Sequence, residues 1–153
     1  MLTVSQKDPY KKFFAAHVMV TSRCNLNCYY CYYPTKPRPE FTLDQIDRVI
    51  DEFENLDEPG IFYEISGGEP MIRPDWYSVT ELFMDTGRDV VFSTNGTLID
   101  NQNAEKFLEL YQKYGDQLYL SVSLDSYDQI IHNSTRGLYE QAIAGMEYLR
   151  DLE

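Results

Sequence analysis

Ile61-Phe62-Tyr63-Glu64-Ile65-Ser66-Gly67-Gly68-Glu69-Pro70 opens with a β-prone run and closes on a glycine turn. A helix follows from about Asp75, with Trp76, Val79, Leu82 and Phe83 recurring on one face. The same order, strand then loop then helix, repeats on both sides. Upstream, His17-Val18-Met19-Val20 reads as a short strand, and a long loop runs on through Pro34, Pro37 and Pro39. Thr42-Leu43-Asp44-Gln45 then has the form of a capping box, ahead of Ile46, Val49, Ile50 and Phe53 at helical spacing. Downstream, Val90 to Thr94 is a strand, Asn95-Gly96 a turn, and Ala104, Phe107, Leu108 and Tyr111 mark a helix. Leu118 to Leu124 is a fourth strand, with a loop from Asp125 and a helix carrying Ala142, Ile143, Met146 and Leu149. Four consecutive βα units predict an α/β fold around a parallel sheet with right-handed crossovers.

Composition bounds what such a chain does. At 153 residues with 43% hydrophobic content it suits one compact domain. No apolar run approaches the length of a bilayer span, and Met1 to Lys12 has no signal-peptide apolar block, so a soluble cytoplasmic protein is expected. The formal net charge of -12 argues against a nucleic-acid partner, because phosphate backbones are bound by clustered Lys and Arg. Acidity of this kind serves solubility first, and would secondarily favour a basic peptide.

All three cysteines fall in Cys24-Asn25-Leu26-Asn27-Cys28-Tyr29-Tyr30-Cys31. An odd, clustered set is no disulfide framework and points to metal or redox chemistry in a reducing compartment. Thiolates are the ligands of iron–sulfur clusters, and one tight loop supplies several without long-range closure cost. Three ligands leave one iron of a four-iron cubane open, as a reactive centre needs. A zinc module is the rival from another class, but structural zinc takes four ligands and the loop offers no fourth at suitable spacing. The cysteines, Gly67-Gly68-Glu69-Pro70, Ser93-Thr94-Asn95-Gly96 and Ser123-Leu124-Asp125 each follow or end a successive strand. In parallel α/β folds those ends share one face, where ligands bind.

The C-x3-C-x2-C spacing, with Tyr30 before the last cysteine, resembles the signature of the radical S-adenosylmethionine superfamily, and Gly67-Gly68-Glu69-Pro70 resembles its GGEP motif. The resemblance implies a partial (β/α) TIM-like barrel. It implies a [4Fe–4S] cluster on Cys24, Cys28 and Cys31, and S-adenosyl-L-methionine chelated to the open iron. One electron from the cluster would cleave that cofactor, and the 5'-deoxyadenosyl radical would abstract hydrogen from a peptide or small metabolite. Tyr30 would lie at the cofactor, Gly67, Gly68 and Glu69 would bind its methionyl amino group, and Thr94, Asn95, Ser123 and Asp125 would face cofactor or substrate. Arg136 resembles an arginine that pairs with the cofactor carboxylate.

Bottom-up, two glycines permit positive φ and close approach of the backbone to a ligand. Strand alternation puts Ser121, Ser123 and Asp125 on one side. His132 is expected in a loop and His17 outside the site, while Glu64, one strand-repeat from Ser66, is expected to point toward the active face from behind the ligand-contacting residues. Tyr29, Tyr30, Tyr32 and Tyr33 would shield the cluster from solvent. The motif style leans to peptide-modifying (SPASM-type) and cofactor-biosynthesis members, which implies an electron donor such as flavodoxin or ferredoxin.

Where the family core has six βα units, four are counted here, in residues 15–153 after an extension over 1–14. A four-stranded sheet leaves an open edge and an apolar inner face, so the chain is expected to be a fragment, a partner-completed or self-associating subunit, or a minimal form. An inactive cofactor-binding remnant is the alternative to the enzyme.

Overall fold

A computed structural model of the chain describes residues 14–32, 40–55 and 60–152. Tyr33, the three loop prolines and most of the expected N-terminal extension lie outside the described residues. The strands β1 (Phe14–Thr21), β2 (Ile61–Gly67), β3 (Val90–Thr94) and β4 (Leu118–Val122) form one parallel sheet in the order β1-β2-β3-β4. They alternate with helices α1 (Leu43–Glu54), α2 (Trp76–Met84) and α3 (Asn101–Tyr114), and β4 leads to α4 (Gln129–Thr135) and α5 (Tyr139–Arg150). This is the expected α/β order with an unclosed sheet.

Period-two alternation separates the two faces of that sheet. Ala16, Val18 and Val20 of β1, Ile61, Tyr63 and Ile65 of β2, Val90 and Phe92 of β3, and Leu118 of β4 are buried. They join Ile46 and Ile50 of α1, Trp76, Val79 and Phe83 of α2, and Ala104, Phe107 and Leu110 of α3 in one core. Aromatic rings bind the layers: Trp76 lies 4.7 Å from Phe107, and Tyr63 5.2 Å from Phe83, between ring centroids. Leu110 rather than Tyr111 completes the buried stripe of α3, and Tyr111 is exposed.

The opposite face carries His17, Met19, Glu64, Ser66, Ser93, Ser121 and Ser123. It is therefore more polar than the apolar inner surface expected of an open sheet. Both arms of the capping box form at α1, Thr42 Oγ1 accepting from the Gln45 amide and Gln45 Oε1 from the Thr42 amide. The short helix α4, where a loop was expected, starts at Asp128, whose carboxylate accepts from the amides of Ile130 and Ile131.

Candidate functional site

The cysteine loop is held at both ends. Arg73, 3% exposed, donates Nη1 to the carbonyls of Val20 and Phe41 at 2.9 and 2.8 Å, on either side of all three cysteines. Its remaining donors fork onto Asp75 at 2.9 and 2.8 Å. A second arginine, Arg23, forks onto Glu40 at 2.8 and 3.0 Å, and Thr21 also donates to Glu40. Within the loop, the Cys31 amide donates to the Cys28 carbonyl, and the Cys24 sulfur accepts from the Leu26 amide at 3.4 Å. Asn95 Nδ2 lies 3.9 Å from the same sulfur and donates to Asn25 Oδ1 at 2.9 Å, while Asn25 donates to Thr97. N–H groups on sulfur are the contacts that tune a thiolate-held cluster.

The diglycine works by contact. Gly68 and Glu69 donate their amides to the carbonyls of Thr21 and Arg23 at 2.9 and 2.7 Å. A Cβ on Gly67 would fall 2.3 Å from the Thr21 carbonyl oxygen, and one on Gly68 2.1 Å from that of Arg23. Close approach to the first loop, not a left-handed turn, is what excludes side chains here: φ of Gly67 is 158° and Gly68 has no positive φ. The Glu69 side chain turns away from the cavity. Its side chain is fully buried and accepts from Thr94 Oγ1 at 2.8 Å and from the Asn95 and Met71 amides at 2.7 and 3.1 Å. Burial pushes its pKa up, against those three donors, which favour the charged form. Glu69 thus bolts the end of β2 to the end of β3.

A third cluster closes the loop against β4. Asp125 accepts from Tyr30 Oη at 2.6 Å, Thr135 Oγ1 at 2.7 Å and Arg136 Nη2 at 3.0 Å. Arg136 also donates to Tyr30 Oη at 2.6 Å, and the Tyr29 amide donates to the Thr135 carbonyl. Partial burial pushes Asp125 up, but its hydrogen bonds and the Arg136 charge outweigh this and bring its pKa down to about 2. Burial and the bond to Asp125 push Tyr30 up to about 12. Arg136 therefore reaches the cavity already paired. His132 is not a loop residue: it sits fully buried on α4, and its Nδ1 accepts from the Asp125 amide at 3.3 Å. Tyr29 and Tyr32 are 90% and 93% exposed, beside Cys28 and Cys31.

These pieces surround one cavity of about 440 Å³. It is lined by Cys24, Cys28, Cys31, Tyr30, Gly67, Gly68, Thr94, Asn95, Ser123 and Arg136 from the expected set, and by His17, Glu64, Ser66, Ser93 and Ser121 below them. His17, expected outside the site, is on its wall because it occupies an inward position of β1; its Nε2 bonds Ser66 Oγ. Glu64 Oε1 accepts from Ser93 Oγ at 2.9 Å. Arg73, Arg23, Glu40 and Asn25 escaped the sequence reading because their partners are distant in the chain; the only local sign was an arginine beside Pro74-Asp75.

The donor set fits a sulfur-ligated cluster. The three cysteines form no disulfide and are half-buried. Burial pushes the Cys28 thiol up; Arg136 opposes this, while Cys24 and Cys31 add to it. Three thiolates so placed need a cationic group among them. Among the described residues, no three His, Cys, Asp or Glu side chains gather as ligands of a single metal ion do.

An open parallel sheet that collects three thiols and a diglycine around a cavity at its strand ends has the layout of a ligand-binding α/β protein. The model of the Radical SAM superfamily matches residues 18–153, and the chain belongs to that superfamily. An AdoMet-dependent heme synthase of Methanosarcina barkeri is 36% identical over 137 residues, covering 86% of this chain and 37% of that protein. The antilisterial bacteriocin subtilosin biosynthesis protein AlbA of Bacillus subtilis is 29% identical over 138 residues, 89% of this chain and 30% of its own. Among solved structures, Streptococcus suis SuiB bound to precursor peptide SuiA aligns with a TM-score of 0.75 at 17% identity, over 92% of this chain and 31% of that one. The latter likeness shows the α/β fold. The chain thus spans well under half the length of these relatives, the first of which is named a synthase.

Proposed function

We propose that this chain is the cluster- and cofactor-binding part of a radical S-adenosylmethionine enzyme acting on a peptide or small metabolite. The observation that carries the reading is the meeting of Cys24, Cys28 and Cys31 with Gly67-Gly68 on one cavity at the strand ends. The three cysteines hold a [4Fe–4S] cluster, and S-adenosylmethionine occupies the space between them and the diglycine. When bound, that pair supplies a 5'-deoxyadenosyl radical for hydrogen abstraction.

The chain's own residues hold and orient. The carbonyl edge of Gly67-Gly68 accepts from the cofactor ammonium, and Arg136, whose Nε and Nη2 are held by Asp125 and Tyr30, offers its Nη1 donors to the cofactor carboxylate. Thr94, Asn95 and Ser123 present polar groups to the remainder, while Glu69 holds this ring of loops rigid. Residues 15–153 make up this core. A small redox protein such as flavodoxin or ferredoxin supplies the electron, and a reducing cytoplasm suits three cysteines outside disulfides. Among the described residues no helix is long and apolar enough to cross a membrane. Further strands, from more of the same polypeptide or from a partner, complete the sheet beyond β4; without them the alternative is a chain that binds cofactor and stays inert.

The test is anaerobic reconstitution with iron and sulfide, then dithionite and S-adenosylmethionine, with 5'-deoxyadenosine measured. Product from the wild type and none from Cys28→Ala supports the reading. A cluster without product supports the inert alternative, and zinc in place of a cluster overturns both.

A further inference from the structure

The strand register sorts the inner face of the sheet into tiers. His17 of β1 pairs with Glu64 of β2, Glu64 with Val91 of β3, and Val91 with Tyr119 of β4. One tier nearer the cysteines come Met19 paired with Ser66, and Ser93 paired with Ser121. The thiols, Gly68, Asn95 and Ser123 lie beyond that, at the strand ends. The cavity therefore has an upper storey at the strand ends and a lower one within the sheet. His17 and Glu64 stand side by side in the lower storey, both leaning upward, His17 onto Ser66 and Glu64 onto Ser93.

Glu64 is the group whose needs are unmet. A carboxylate accepts about four hydrogen bonds, and Glu64 receives one, from Ser93. The other charged residue on the cavity wall, Arg136, is engaged with Asp125. Among the described residues no Lys or Arg forms a salt bridge with Glu64. A half-buried carboxylate on a cavity wall is stabilised by a donor arriving with the ligand, and it repels a ligand carboxylate.

We propose that Glu64, flanked by His17, is the substrate-recognition point of the cavity, and that it accepts from an N–H donor of the substrate: an ammonium, guanidinium or amide. This rests on the cofactor-binding reading, which assigns the upper storey and leaves the lower one to substrate. It deepens that reading by favouring a nitrogen-bearing substrate, such as a peptide, over one that enters carboxylate first. The two serines fix the aim of the acidic and imidazole groups, so the donor is met at a set position.

The experiment uses the full chain with ¹³C-labelled glutamate carboxyls and ¹⁵N-labelled histidine, before and after anaerobic reconstitution. Butylguanidinium, butyrate and butanol serve as probes, and Glu64→Gln assigns the Glu64 resonance. Saturable shifts of Glu64 and His17 with butylguanidinium, at least fivefold weaker in Glu64→Gln and absent with butyrate, are expected. Butyrate binding as tightly as butylguanidinium, an unchanged affinity in Glu64→Gln, or no saturable shift with any probe overturns the proposal. Iron and sulfide content of the same samples separates the two readings. A wild type that takes up no cluster counts against the cofactor-binding function, while the probe titration still decides the subsite.

Discussion

Arg73 shows how one side chain governs a loop. Its Nη1 grips the chain just before the cysteines, at Val20, and just after them, at Phe41. The guanidinium is almost fully buried. Arg73→Ala is expected to cost about 3 kcal/mol, the usual range for breaking a buried charged pair, read by urea denaturation. Arg73→Lys is expected to recover part of this, because an ammonium reaches one carbonyl but cannot fork onto Asp75. Iron retained after reconstitution should follow the same order, wild type above Lys above Ala. Equal iron in all three would show that the loop is set without this clasp.

Asp125 gives the pH dependence at the same scale. Its pKa is held below the ordinary carboxylate value, at about 2. A depressed carboxylate pKa contributes stability above the unfolded value near 4, and loses it as pH falls toward the folded value. With the pair partly open to solvent, the contribution is about 1 kcal/mol. The stability gap between wild type and Asp125→Asn should therefore be constant from pH 5 to 7 and close between pH 4 and 2. A gap that persists at pH 2 would mean that Asp125 acts through packing rather than charge. The cysteines and glycines were legible in the sequence because their chemistry is local. Arg73, whose partners lie 53 and 32 residues away, was not.

At the scale of elements, β2 and its turn decide the site. The strand delivers Gly67 and Gly68 against the first loop so closely that a methyl at Gly68 would overlap a carbonyl oxygen at 2.1 Å. Gly68→Ala must push the Arg23–Cys24 backbone away, breaking the amide bonds from Gly68 and Glu69. A loss of about 3 kcal/mol is expected from overpacking, with iron binding impaired beyond what the stability loss explains. By contrast, Gly87→Ala has open space around it, and its penalty is confined to its positive φ. An equal effect of the two substitutions on iron binding would refute the contact argument. The strands and α1, α2, α3 and α5 were legible because each couples a period to a buried face. Helix α4 was not, since its seven residues expose Ile130 and Ile131 and bury only His132. Its evidence is the Asp128 cap, which a short polar stretch does not advertise.

For the whole molecule, the question is the edge that β4 leaves open. The Ser123 amide donates to the Thr94 carbonyl, so it points toward β3. Backbone groups alternate direction along a strand, so the amides of Leu120 and Val122 point the other way, to the free edge. Side-chain burial does not protect them, even though both residues pack against the core. Amide hydrogen exchange on this chain is therefore expected to be fast at Leu120 and Val122 and slow at Tyr119, Ser121 and Ser123. When another strand pairs with β4, whether from a longer form of the polypeptide, a partner or a second copy, the two fast amides should slow by at least tenfold. A dependence on protein concentration would identify self-association, and slowing only in a longer chain would identify further βα units. If Leu120 and Val122 exchange as slowly as Ser121 in the dilute chain, then the edge is already covered, and the sheet does not end where its hydrogen bonding says it does.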